Sequence, residues 1–155
     1  MMDILWRSLG GMLAVISFGV VLRVPRRFLI WAGIDGAIGG CVYLLVEEGT
    51  DSVLLATFIG ALVISFIAHI FARIFKTPVT IFLIPANMTI VPGAGMYRIV
   101  YYILKSNSYM SAYYFQQTFL AAGAIVGAIF IVNTVLGGFK SRSQGVKKNS
   151  QKFDE

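Results

Sequence analysis

Five apolar stretches separated by short polar segments constrain the fold of this chain more than any other feature. They cover about residues 4–22, 28–46, 52–75, 78–104 and 112–136. A helix needs about 20 mostly apolar residues to cross the hydrocarbon core of a bilayer. The chain is 57% apolar and only 13% charged, about half the charge of a soluble domain. The sequence therefore predicts an all-α polytopic membrane protein and argues against a soluble enzyme, a disordered chain and a disulfide-stapled secreted module.

The fourth apolar stretch, residues 78–104, differs from the others because proline and glycine interrupt it. Pro85, Pro92, Gly93 and Gly95 all lie within it. Proline lacks a backbone donor and clashes with the preceding turn, so one continuous helix is not expected here. Two interpretations fit: a discontinuous span, or a re-entrant loop followed by a surface helix.

The distribution of charge favours the discontinuous span. Basic residues cluster after the first, third and fifth stretches, whereas the segment after the second stretch is acidic, with Glu47, Glu48 and Asp51. Cytoplasmic segments carry the excess of Lys and Arg. A re-entrant loop would place the basic C-terminal tail outside. We therefore predict five spans, the fourth broken at Pro85, Pro92 and Gly93, with the N-terminus outside and the C-terminus in the cytoplasm.

The chain is predicted to have one integral membrane domain, residues 1–138, followed by a basic cytoplasmic tail. The tail, residues 139–155, is polar, rich in lysine and without periodicity, which is typical of a disordered segment that contacts anionic lipid. The formal charge of +6 comes from residues between the apolar stretches rather than from one polar face. This arrangement sets topology in the lipid bilayer and does not predict binding to nucleic acid.

Asp35 is the one acidic residue inside the second apolar stretch. An ionised carboxylate within a span costs on the order of 3 kcal/mol, so a basic partner, a wet cavity or protonation must offset it. Asp35 is thus either a coupling or substrate-orienting acid, or half of an ion pair with Arg73 or Arg98. His69 and Arg73, one turn apart on the third span, are further coupling candidates. The alternatives are a hydrogen-bonded histidine and an arginine that reaches the headgroups.

The interrupted stretch holds the candidate substrate pathway. Broken helices at membrane depth expose backbone groups and are tolerated inside protein or around a wet cavity, where transporters bind substrates and ions. The candidates comprise the residues of the break and polar or charged residues near it: Pro85, Asn87, Thr89, Pro92, Gly93, Tyr97 and Arg98. Arg98 could clamp the carboxylate of a small substrate. The alternative is a kinked span without a ligand.

No catalytic motif is present in the sequence. It contains no G-x-S-x-G, no H-E-x-x-H, no glycine-rich phosphate loop and no cluster of aspartates. One histidine and one cysteine cannot form a protein-only zinc site of the usual type. We therefore expect neither an enzyme nor a bound metal or cofactor.

The motifs around the basic clusters resemble those of a known family. Arg23-Val24-Pro25-Arg26-Arg27 leading into Ala32-Gly33-Ile34-Asp35-Gly36 is similar to the start of the small subunit of the threonine/serine exporter family. The same holds for Ala72-Arg73 followed by Pro78, Phe82, Pro85, Val91-Pro92-Gly93 and Tyr97. The resemblance spans about residues 10–135 and is most specific in the spacing of the prolines and the tyrosine.

The resemblance implies a secondary exporter of the bacterial plasma (inner) membrane. Its substrates would be threonine and serine, or small dicarboxylates such as succinate, and a larger polytopic subunit would often supply the other half. The matching positions are Arg73, Pro85, Pro92, Gly93 and Tyr97, whereas Asp35, Asn87 and Arg98 come from the physical argument alone. Five spans suit half of a ten-span transporter, or a chain that pairs with itself.

The sequence thus predicts a subunit of an exporter for small polar metabolites that carry a carboxylate. Two other interpretations stay open. The chain could be a non-transporting scaffold that stabilises a membrane complex, or a small homo-oligomeric channel.

Overall fold

The computed structural model describes the backbone of residues 2–150 and the side chains of residues 6 and 8–136. Within residues 2–150 the chain forms six α-helices and no strand, which confirms the predicted all-helical fold. The helices are α1 (Met2–Val21), α2 (Arg26–Thr50), α3 (Val53–Phe75), α4 (Thr80–Asn87), α5 (Gly93–Leu104) and α6 (Ser108–Ser150).

Three segments of the described chain are long and apolar enough to cross a membrane. They are Arg26–Thr50, Val53–Phe75 and Ser108–Leu136, and Ser8–Val21 is a shorter apolar helix. Residues 78–104, expected to form one interrupted span, contain α4 with 8 residues and α5 with 12. The five-span arrangement therefore remains a prediction.

The predicted tail, residues 139–155, also remains a prediction. Helix α6 extends through Ser150. The side chains from residue 137 onward and the whole of residues 151–155 lie outside what the structure describes.

Four of the turns between helices contain a residue in the same left-handed backbone conformation. Arg23, Asp51, Lys76 and Ser106 each have a positive φ, between 50° and 57°. A left-handed residue just after a helix ends it and reverses the chain, and glycine is the usual choice. Here polar residues take that position in the described turns, and all the described glycines have negative φ.

Helices α2, α3 and α4 pack together through an aromatic cluster near the basic turns. Phe82 of α4 is fully buried, with its ring centroid 5.7 Å from those of Phe28 and Phe71. Phe75 completes the cluster, 5.5 Å from Phe28. Edge-to-face rings at these distances are a favoured aromatic geometry. The cluster fixes the start of α4 against α2 and α3.

Glycines allow the helices above this cluster to approach closely. A Cβ added to Gly39 of α2 would clash with the Ile64 side chain of α3. A Cβ at Gly60 would lie 2.8 Å from Ile90 and 3.4 Å from the Gly39 carbonyl. Small residues at such positions bring helix backbones together in membrane bundles. In contrast, Gly123 and Gly127 of α6 face open space.

The contacts of α4 show that it runs parallel to α2. Phe82 lies against Phe28, and an added Cβ at Gly36 would lie 3.5 Å from the Ala86 Cα atom. Just beyond the end of α4, Thr89 lies beside Gly40 of α2. The segment that follows α4 therefore lies near the acidic end of α2.

Helix α5 packs differently, since among the described elements it contacts only α6. Gly95 of α5 meets Thr118 of α6, and the stacked rings of Tyr102 and Tyr114 have centroids 5.4 Å apart. None of the residues in α5 is buried. We call residues 93–120 the α5–α6 hairpin.

Candidate functional site

The segment between α4 and α5 is a tight, hydrogen-bonded turn rather than an open loop. Pro85 inside α4 has no N–H, so it cannot continue the i→i−4 ladder. Beyond it, the amides of Met88, Thr89 and Ile90 each donate to the carbonyl three residues earlier, at 3.0–3.2 Å. Pro92 then precedes α5. The backbone amides of the break are thus mostly satisfied locally.

A cavity of about 890 Å³ lies beside this segment. Four regions form its wall: the end of α2, the start of α3, residues 89–95, and the face of the α5–α6 hairpin that carries Arg98 and residues 113–121. Its volume falls within the range of roughly 300–1,000 Å³ that is usual for small-molecule sites. The break in the fourth apolar stretch therefore borders a space large enough for a small metabolite.

One wall of the cavity can attract an anion. The Arg98 guanidinium lies 5.3 Å from the centroid of the Tyr114 ring, a cation–π distance. Helix α5 begins without a side-chain cap, and the amides of Ala94 and Gly95 have no hydrogen-bond partner among the described residues. Free amides at a helix N-terminus carry a partial positive charge. This wall suits a carboxylate.

The part of the lining that comes from the end of α2 is acidic. Glu47 and Asp51 line the cavity from the last turn of α2, and Tyr43 lies one turn before Glu47. Asp51 ends the helix with φ 50°, and its amide donates to the Glu47 carbonyl at 3.0 Å. The cavity lining thus contains carboxylates from the end of α2 and a guanidinium from α5.

The remaining lining residues are uncharged, and they combine apolar side chains such as Leu54 and Leu120 with polar ones. They include hydroxyl and amide side chains from three regions of the chain: Thr57, Thr89, Tyr113, Gln117 and Thr118. A second cavity of about 150 Å³ lies between α1, α2 and the break, lined by Ser8, Gly36, Gly40 and others. Thr89 borders both cavities.

Comparison with known proteins decides the family. A family model described as Threonine/Serine exporter, ThrE, matches residues 7–135, which include α2 to α5 in full. The chain belongs to the threonine/serine exporter family. No solved structure matches the chain.

Membership in the threonine/serine exporter family confirms the resemblance seen in the sequence. The family consists of membrane transporters and not of enzymes, which agrees with the prediction that the chain is not an enzyme. The apolar helices and this membership together identify a membrane protein involved in amino-acid transport.

The structure brings four of the seven predicted pathway residues of this exporter-family chain to one cavity. Thr89, Pro92, Gly93 and Arg98 all line it. The Thr89 hydroxyl donates to the Ala86 carbonyl at 2.8 Å, so its oxygen still has lone pairs for a ligand.

The other three predicted pathway residues lie away from the cavity lining. Pro85 is buried inside α4. Asn87 is buried, with its Nδ2 donating to the Leu83 carbonyl at 2.9 Å and its Oδ1 unpartnered among the described residues. Tyr97 is 70% exposed and stacks on Tyr101, with 6.1 Å between ring centroids.

Asp35 lies in the core of this exporter-family chain. It is fully buried on the face of α2 that also carries Ala32 and Gly39, and neither carboxylate oxygen has a hydrogen-bond partner among the described residues. The ion pair with Arg73 or Arg98 considered from the sequence is therefore not formed within this part of the chain.

The two remaining coupling candidates have ordinary local contacts. The Nδ1 atom of His69 lies 2.8 Å from the Ser65 carbonyl, one turn earlier on α3. Arg73 is exposed at the end of α3 and donates to the Leu136 carbonyl at 3.3 Å, so it joins α3 to α6. These contacts do not place either residue beside the cavity.

Sequence reasoning missed the acidic wall of the cavity. Glu47 and Asp51 contributed to the predicted topology, but not to the predicted site. A signal was available, because residues four apart share a helix face and Tyr43 repeats the same spacing. Gln117 and Thr118 carried no comparable signal, since only the packing of α6 brings them to the break.

Proposed function

We propose that this chain is the smaller subunit of a secondary active exporter of small polar metabolites that carry a carboxylate. The substrates are threonine, serine or a small dicarboxylate such as succinate. The observation that carries the proposal is the cavity of about 890 Å³ where the break between α4 and α5 meets Arg98. Broken helices beside a polar cavity are the usual substrate sites of secondary transporters.

We infer five crossings of a bacterial plasma membrane, with α4 and α5 together forming the fourth. Three observations support this arrangement: α4 starts where α3 ends, it runs parallel to α2, and the segment that follows α4 lies beside Gly40, past the middle of α2. The basic turns at Arg23 and Lys76 would then face the cytoplasm, as the positive-inside rule requires. The cavity would open at the outer side.

Asp35 is the proposed coupling acid. A buried carboxyl that has no partner among the described residues can bind and release a proton as the transporter changes conformation, whereas a permanently paired carboxylate cannot. Replacing Asp35 with Asn should abolish the dependence of export on a proton gradient without loss of membrane insertion.

The measurement for Asp35 is threonine export from vesicles with and without an imposed pH gradient. Ser65→Ala is the matched control, because Ser65 is also fully buried and its hydroxyl is unpartnered among the described residues, but it does not titrate. The control should keep the response to the gradient. An unchanged response in Asp35→Asn removes Asp35 from the mechanism.

The larger partner is proposed to pack against α6. This helix contacts only α3 and α5 among the described elements, and Gly123 and Gly127 form a G-x-x-x-G pair that faces open space. Such a pair is a common contact surface between membrane helices. A transmembrane helix of the partner would cover it.

Reconstitution tests the subunit role directly. Vesicles containing this chain, the larger protein, or both should be compared for threonine and succinate transport, and we expect saturable export only with both. Full transport by the partner alone would make this chain a scaffold. Unsaturable passive flux through this chain alone would make it a channel.

A further inference from the structure

We propose that Glu47 forms an ammonium subsite opposite Arg98, so that the cavity recognises a zwitterion by both of its charges. This inference rests on the proposed export function and adds to it a residue that determines specificity. Glu47 and Arg98 line the same cavity from different helices, α2 and α5. An amino acid would place its carboxylate toward Arg98 and its ammonium group toward Glu47.

The position of Glu47 on α2 favours a cationic ligand. The C-terminal end of a helix carries a partial negative charge, which makes carboxylates there unfavourable and cations favourable. The last turn of α2 has no basic residue, and yet Glu47, Glu48 and Asp51 all lie at this end. Arg98 is the one basic residue among the described lining of the cavity, and it belongs to the opposite wall. An ammonium group would relieve the repulsion at this helix end.

Glu47 is a better candidate for this subsite than its acidic neighbours. Its side chain is partly buried, whereas Glu48 and Asp51 are exposed. A charge that is partly removed from water interacts more strongly with a ligand than one that is fully hydrated. Glu48 does not line the cavity, so the three acids are not equivalent.

The opposite wall offers two features that suit a carboxylate. Arg98 presents a guanidinium, whose planar fork can bind a carboxylate with two hydrogen bonds. The first turn of α5 adds the amides of Ala94 and Gly95, which have no partner among the described residues. The two walls therefore differ in sign, and the difference orients a zwitterion.

The same geometry discriminates against a dicarboxylate. A second carboxylate in place of the ammonium group would lie beside Glu47 and Asp51, where like charges repel. The neutral lining between the walls, including Thr57 and Thr118, can accept or donate a hydrogen bond to a short hydroxylated side chain. The cavity therefore favours a hydroxyl amino acid over succinate.

The test compares four ligands as competitors of radiolabelled threonine in vesicles containing the assembled exporter. They are threonine, N-acetylthreonine without the ammonium charge, threoninamide without the carboxylate, and succinate. We expect each of the last three to compete at least about tenfold more weakly than threonine, the effect of losing one charge-assisted contact. This part needs no mutation, so a folding defect cannot obscure it.

Two substitutions assign the charges to residues. Glu47→Gln should weaken the competition by threonine and by threoninamide about tenfold. Threonine and N-acetylthreonine should then compete almost equally well. Arg98→Gln should weaken the competition by threonine and by N-acetylthreonine, but the competition by threoninamide should stay nearly unchanged. Glu48→Gln is the matched control, one residue away and outside the cavity lining, and it should behave as the wild type.

The outcomes separate this inference from the function on which it rests. If wild-type vesicles transport threonine but Glu47→Gln and Glu48→Gln give the same competition profile, the subsite is wrong and the export function stands. Equal competition by threonine and N-acetylthreonine in the wild type overturns the subsite as well. If the assembled exporter transports no amino acid, both proposals fail.

Discussion

The bundle of α1 to α4 and the α5–α6 hairpin are built in contrasting ways. In the bundle, Phe82, Ile64 and Val15 are fully buried, and glycines hold the backbones close together. In the hairpin, residues 93–120 include no buried residue, and α5 touches one other helix of the described chain. Phe119 is 70% exposed, and Leu104 is 80% exposed. The bundle therefore has a buried core of its own, whereas the hairpin leaves most of its surface available to lipid or to a partner.

This difference places the cavity at the boundary between a packed region and an open one. The acidic wall belongs to the packed bundle through α2, and the Arg98 wall belongs to the hairpin. Helix α5, which contacts only α6 among the described helices, can move relative to the bundle at a smaller packing cost than a helix held on several sides. We propose that alternating access involves movement of α5.

The largest expected effect concerns the aromatic cluster. Phe82→Ala should destabilise the chain by about 3 kcal/mol, because it removes a fully buried ring that contacts three other aromatic rings. The free energy of unfolding can be measured by titration with SDS in mixed micelles. Phe119→Ala, which truncates a ring that is 70% exposed, is the matched control and should change the stability by less than about 0.5 kcal/mol. Equal losses in the two variants would contradict the contrast between bundle and hairpin.

A smaller effect is expected at the glycines. Gly39→Ala should destabilise by about 1 to 2 kcal/mol, because the added methyl group meets Ile64 with little room to move. Gly123→Ala adds the same methyl group where nothing lies within 4 Å, so its unfolding free energy should stay equal to or slightly above that of the wild type. The same SDS titration compares the two. A stable Gly39→Ala variant would show that α2 and α3 are less closely packed than described.

The smallest effect on the isolated chain is expected at Gly127. Gly127→Leu should leave the stability of the purified chain within about 0.5 kcal/mol of the wild type, because its side chain would point into open space. It should nevertheless reduce co-purification of the larger partner, which we propose packs on this face. Undiminished co-purification would move the partner interface away from the Gly123–Gly127 face of α6. Phe130→Ala, on the same helix and 68% exposed, would then test another part of its surface.

The sequence predicted the helical regions well because apolar length is a local property. The stretches 28–46 and 52–75 correspond closely to α2 and α3. Pro85, Pro92 and Gly93 located the region where α4 ends and α5 begins, since proline restricts the backbone regardless of its neighbours. The number of membrane crossings, by contrast, depends on how the helices are placed in the bilayer, and it remains a proposal.

The candidate site was predicted only in part. One short segment, residues 89–98, contains Thr89, Pro92, Gly93 and Arg98. Because these residues are close in the sequence, it was predictable that they lie near one another and line the same cavity. Tyr97 is next to Arg98 but faces away, because adjacent residues of a helix point about 100° apart. The acidic residues that line the cavity, Glu47 and Asp51, lie more than forty residues before Arg98 in the chain. No local pattern links them to Arg98.

The sequence by itself determined that this chain is a helical membrane protein of the threonine/serine exporter family, with an interrupted fourth apolar stretch and an acidic residue within the second. These properties depend on the order and type of neighbouring residues. Only the tertiary structure decided that Asp35 has no partner among the described residues, that Gly39 packs while Gly127 does not, and that Glu47 and Arg98 line the same cavity. These properties depend on the register between helices, which is set by side chains far apart in the chain packing against each other.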